Sequence, residues 1–149
     1  LDETLNSEMD IHRNFCSEFG LSVNQLESTT PSATTLGYVE HLLKIAKEGS
    51  IEEISAAMLP CQWGYDEIGR SLERNMTSPM DSSYNRWVTG YCSEEYREVT
   101  AWLKQFVDQL GEIAAPGLRR RMSKAFGQST RQEFLFWESA WNQEGHSLI

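Results

Sequence analysis

Apolar residues recur at steps of three and four along almost the whole chain, and no segment alternates apolar with polar long enough to make a half-buried strand. That period commits the chain to amphipathic helices, which bury their apolar stripes by packing on one another. Residues 1–19 carry Leu1, Leu5, Met9, His12, Phe15 and Phe19 on one face, with Gly20 as a stop and a loop over 21–31 ending at Pro31. A helix over 33–48 carries Tyr38, Val39, Leu42, Leu43 and Ala46 and closes at Gly49. Ser50 and Glu53 have capping-box spacing and open a helix that reaches about Arg74. A polar turn over 75–81 leads to a short helix with Tyr84, Trp87, Val88 and Tyr91. The helix over 94–113 turns Tyr96, Val99, Leu103, Phe106, Leu110 and Ile113 inward, and Pro116 breaks it. Helices over 117–126 and 129–144 follow, the second opened by Ser129 and Gln132 at capping-box spacing. The sum is an all-α bundle of about seven helices in one domain covering 1–149.

Composition narrows the function. A net charge of −9 argues against nucleic acid, whose binders need a basic surface to release counterions. Arg119, Arg120 and Arg121 form the only basic run, and without glycine-rich company they read as a solvated helix face. Three widely spaced cysteines, Cys16, Cys61 and Cys92, form neither a zinc knuckle nor a disulfide scaffold, so a reduced, cytoplasmic setting is expected. No apolar run reaches the roughly 18 residues of a membrane span.

Polar groups on apolar faces carry the chemical signal. In "AMLPCQWGYDEIGRSL" a proline and a thiol stand inside a helix. Ile54, Met58, Cys61, Tyr65, Ile68 and Leu72 share a stripe, which turns Cys61 toward the core with Tyr65 one turn on. Pro60 cannot donate to the carbonyl of Ala56, which predicts a kink and a freed acceptor near the thiol. Cys61 is then either a buried structural cysteine or a nucleophile. Glu133 shares a face with Phe136, Trp137, Ala140 and Glu144, so its carboxylate is either at a wet rim or lines a cavity as a proton donor and acceptor. Glu8 and His12, one turn apart, read as a hydrogen-bonded pair rather than a metal site, because no third ligand has a matching position. Tyr38, Trp63, Tyr65, Trp87, Tyr91, Phe136 and Trp137 fall on inward positions. Such rings mostly pack a core, but buried tyrosines need partners for their hydroxyls. Tyrosines with a thiol and a carboxylate suggest a polar-lined pocket for a flat ring.

Five ordered segments carry a resemblance: "EMDIHRNFCSEFGL", "TTPSATTLGYVEHLL", "LPCQWGYDEIG", "YNRWVTGYCSEEY" and "STRQEFLFWESAW". Together they resemble the TenA/thiaminase II family from residue 1 to about 145. The resemblance implies a helical fold like that of haem oxygenase, without haem and with no cofactor or metal. It implies a hydrolase that converts thiamine-derived aminopyrimidines to hydroxymethylpyrimidine and ammonia, with thiamine cleavage as a related activity. By the family's motifs, Cys61 matches the nucleophile and Glu133 the proton donor and acceptor. Tyr65 matches a substrate-binding tyrosine, Tyr38 and Tyr91 match tyrosines lining the pocket near the thiol, and Phe136 matches a ring packing on the pyrimidine. The implied partner is a small aminopyrimidine or thiamine, and the implied assembly a homotetramer. Further helices are expected before Leu1, bearing an aspartate that holds the pyrimidine and has no counterpart here. Two other readings compete with the hydrolase: a pyrimidine-binding module without chemistry, alone or in a fusion protein, and a purely structural bundle.

Overall fold

The computed structural model describes residues 2–75 and 82–144, apart from the side chains of residues 2–8, 11 and 82. Expectations for Leu1, the Leu5 and Glu8 side chains and residues 76–81 of the turn expected over 75–81 lie outside those residues, and Asn75 belongs to the helix before it. The described residues form seven helices and no strand, and no helix among them is long and apolar enough to cross a membrane.

The chain divides into two compact units, Leu1–Pro31 and Ser32–Ile149. The first holds α1 (Asp2–Glu18) and α2 (Val23–Ser28). Gly20, at a φ of +80°, ends α1 as expected. The N–H of Leu21 donates to the carbonyl of Cys16 at 2.8 Å and that of Gly20 to Ser17 at 3.0 Å, the paired bonds of a Schellman cap. His12 is exposed. The expected loop over 21–31 instead contains α2, held by a capping box between Ser22 and Gln25. A helix this short shows no periodicity, so only its cap was legible.

The second unit holds α3 (Ala33–Glu48), α4 (Ile51–Asn75), α5 (Ser82–Tyr91), α6 (Glu94–Ile113) and α7 (Pro116–Trp141). α4 is its axis: α7 and α6 pack along it most extensively, α5 and α3 also rest on it, and α3 bridges to α7. Ala56, Ala114 and Met122 form the buried centre, surrounded by Val107, Leu110, Leu118 and Phe126. The starts of α3, α4, α6 and α7 follow their local chemistry. Ser32 and Ser93 accept the N–H groups of Thr35 and Tyr96, and Pro116 takes the first position of α7, where a missing N–H costs nothing. At α4 the backbone half of the expected box forms, with the Ser50 N–H donating to Glu53 Oε2 at 3.3 Å.

Three expectations need correction. Residues 117–126 and 129–144 are not two helices, because α7 runs unbroken from Pro116 to Trp141. Ser129 caps nothing: it is 0% exposed and bonded to His41. The arginine run is the exposed helix face expected of it, and two of its members also make contacts. Arg119 donates to the carbonyls of Gly111, Glu112 and Ala114, filling acceptors that the end of α6 leaves open, and Arg121 pairs with Glu53 at 3.1 Å. Finally, Cys61 is exposed rather than turned into the core. The buried face of α4 is Ser55, Ala56, Ala57, Leu59, Pro60, Asp66 and Gly69. Ala56, Ala57 and Gly69 on that face let neighbouring helices approach closely, while Met58 and Leu72 on the expected stripe are exposed.

Candidate functional site

Tyr38 on α3 stands at the middle of the site. Its hydroxyl donates to Glu133 Oε1 on α7 at 2.5 Å, a contact spanning 95 residues of chain. Burial pushes the phenol far above its ordinary range; the hydrogen bond to Glu133, the Glu133 charge, Cys61 and then Tyr65 push it the same way. Tyr38 therefore stays the donor and Glu133 the acceptor. Cys61 and Tyr65, both on α4, are thus among the groups that act on this phenol. Glu133 and Tyr38 are both half-buried, and the thiol is open to solvent rather than sealed in a hollow. The expected polar group on an apolar face thus has its partner, as a partly buried carboxylate must.

The other sequence-nominated residues connect through rings. Tyr65 lies 4.8 Å from Tyr91, 5.9 Å from Trp87 and 5.5 Å from Trp137, measured between centroids. Trp87 and Tyr91 are 4.6 Å apart. Phe136 meets Trp137 edge-on at 6.5 Å. Rings from α4, α5 and α7 therefore form one tilted cluster, the geometry their quadrupoles favour. Gly69 makes this possible: a Cβ there would sit 3.1 Å from Tyr91 Cβ and 3.4 Å from Cys92 Sγ. Its absence lets the end of α5 close onto α4 and brings Tyr91 against Tyr65.

Beside Glu133, between α4 and α7, lies a hollow of about 250 Å³ with Pro60, Trp63, Gly64 and Trp137 in its wall. It is smaller than the roughly 300–1,000 Å³ of drug-sized pockets and suits one ring. Glu133 lines it, and Cys61 does not.

Several polar contacts were not singled out from sequence. Asp66, 2% exposed, takes a two-pronged bond from Arg70 at 2.9 and 2.6 Å, which their i, i+4 spacing could have signalled. Gln62 donates to Thr100 at 3.0 Å, and the Tyr96 hydroxyl donates back to the Gln62 carbonyl at 3.2 Å, tying α4 to α6. His41 bonds Ser129 at 2.9 Å, and burial holds its imidazole below the ordinary value. Nothing local marks that last pair. Among the described residues, no three of His, Cys, Asp and Glu gather as metal ligands.

The TENA/THI-4/PQQC family model matches residues 1–143. An aminopyrimidine aminohydrolase of Halalkalibacterium halodurans is 36% identical over 96% of this chain and 64% of its own length. The aminopyrimidine aminohydrolase of Bacillus subtilis is 32% identical over 97% of this chain and 60% of its own length. Among solved structures, a TenA homologue from P. horikoshii superposes with a TM-score of 0.83 at 25% identity, covering 93% of this chain and 63% of that one. The chain spans less than two thirds of the length of these relatives, at 64%, 60% and 63%.

Proposed function

The chain belongs to the TENA/THI-4/PQQC family, and on that premise we propose that it hydrolyses aminopyrimidines derived from thiamine, by attack of Cys61 with proton transfer at Glu133. The family relatives named aminopyrimidine aminohydrolase support the substrate class. The observation that carries the residue roles is the Tyr38–Glu133 hydrogen bond, at 2.5 Å, on a phenol that also feels Cys61.

In this reading the Cys61 thiolate adds to the electron-poor pyrimidine ring, forming a C–S bond. The amine on the exocyclic methylene departs as ammonia, taking a proton from Glu133. Water adds to the methylene carbon while the carboxylate accepts its proton, and expulsion of the thiolate restores the aromatic ring. The net change is one water consumed and one ammonia released for each hydroxymethylpyrimidine. Exposure of Cys61 suits this role, since a nucleophile must be reached by its substrate. Tyr38 orients the carboxylate by donating to one oxygen, leaving the other for the substrate. Tyr65 and Tyr91, 4.8 Å apart between ring centroids, would offer ring faces and hydroxyls to the substrate, and Phe136, one turn after Glu133, a surface for the pyrimidine. Thiamine cleavage would follow the same path with the thiazole as leaving group. A reducing cytoplasmic setting keeps such a thiol available, and a homotetrameric assembly belongs to the same reading.

Ammonia release from 4-amino-5-aminomethyl-2-methylpyrimidine tests the proposal. The parent protein is expected to turn over and Cys61→Ala to lose at least about a thousandfold, as covalent nucleophiles do. Equal ammonia release by the two proteins would overturn the nucleophile. Pyrimidine binding without turnover in the parent would favour the binding module.

A further inference from the structure

The seam between α3 and α7 carries a second polar contact that the proposed chemistry does not use. His41 lies one turn after Tyr38 on α3, and Ser129 one turn before Glu133 on α7. His41 Nε2 meets Ser129 Oγ at 2.9 Å, and Ser129 is 0% exposed. The two seam contacts run in opposite order along the two helices, so α3 and α7 are antiparallel here. Together they fix one register.

Ser129 behaves unlike the other hydroxyls of its helix. Ser123, Thr130 and Ser139 donate to carbonyls of α7 itself, the usual habit of a mid-helix hydroxyl. Ser129 reaches across the seam instead. The reach of the two contacts also differs. A serine on a rigid imidazole tolerates almost no sliding, whereas the long Glu133 side chain can follow a shift. One residue of helix rise is about 1.5 Å, enough to break the buried contact outright. The stricter contact therefore sets the register, and the looser one inherits it.

We propose that the His41–Ser129 pair is a positioning element that locks α7 against α3 and so holds the Glu133 carboxylate beneath the Tyr38 hydroxyl. The inference rests on reading Glu133 and Tyr38 as site residues, but its test does not depend on turnover. The chain has five tyrosines, so ¹³C-labelled tyrosine gives few ring signals, and Tyr38→Phe assigns the one of interest. In the parent, the Tyr38 signal is expected to resist titration well past the ordinary tyrosine value of about 10. In Ser129→Ala and in His41→Leu, it is expected to titrate lower, toward that value. His41→Gln, which keeps a polar nitrogen at similar reach, is expected to restore the parent curve. Turnover adds a second readout: Ser129→Ala should lower kcat about tenfold or more with KM held, the signature of a misplaced group. An unchanged Tyr38 titration in both Ser129→Ala and His41→Leu would overturn the proposal. Absence of turnover in the parent would instead overturn the hydrolase reading, with the titration still deciding the register lock.

Discussion

Tyr38 holds a half-buried phenol on Glu133, and burial, that hydrogen bond, the Glu133 charge and Cys61 all raise its pKa. Its raised pKa has a signed consequence for stability. The unfolded chain loses this proton near pH 10, before the folded protein does. The neutral phenol therefore contributes stability that is fully present below about pH 10 and is lost as pH climbs from there toward the higher folded value. Denaturant unfolding followed across that range should show stability falling with pH in the parent, and Tyr38→Phe should remove this component. A parent and variant with the same alkaline slope would mean that Tyr38 does not sit in this environment. At the same scale, Glu133 was legible as an anomaly, a carboxylate on an apolar face, but its partner was not. Tyr38 lies 95 residues away, and no local pattern points across such a distance. His41 and Ser129 were legible neither as a pair nor singly, since a serine followed three residues later by glutamine looks like a helix start whether or not it is buried.

At the scale of elements, α4 shows why hydrophobicity alone misjudges which face is inside. Its stripe of Ile54, Met58, Cys61, Tyr65, Ile68 and Leu72 is apolar by composition. Yet the closest packing runs along Ala56, Leu59, Pro60 and Gly69. Close approach is set by side-chain size, and size is invisible to a period count. Cys61 is accessible, which is what the proposed attack needs. Gly69 offers the sharpest test of this packing. Tyr91 Cβ, at 3.1 Å from a new methyl, is fixed to the backbone of α5 and cannot swing aside. Gly69→Ala should destabilise the protein by about 1–3 kcal/mol through overpacking. It should also weaken pyrimidine binding, because the end of α5 must retreat and take Tyr91 with it. A thermal midpoint and affinity equal to the parent's would show that the contact of α5 on α4 is not tight. The fusion of two expected helices into α7 belongs to this scale too. Gly127 and Ser129 weaken the local signal, but packing on α3 and α4 carries the helix through them.

Across the whole molecule, the helical class was legible because periodicity is summed over nearly every segment, and an error at one boundary does not change it. The family was legible because several short motifs occur in order, and the family model spans residues 1–143. What sequence could not give is which helices meet, with α7, α6, α5 and α3 all packed on α4. That meeting is a property of long-range packing, with α4 as the axis and α3 bridging to α7. In the proposed reaction Cys61 and Glu133 act as one unit. A double-mutant cycle on kcat for ammonia release, using Cys61→Ala, Glu133→Gln and the pair, measures that directly. Groups that act as a unit lose nearly all of their effect when either is removed, so the double variant should be no slower than the worse single one. If the two losses multiply, or if Cys61→Ala keeps the parent's rate, the thiol and the carboxylate do not share a mechanism.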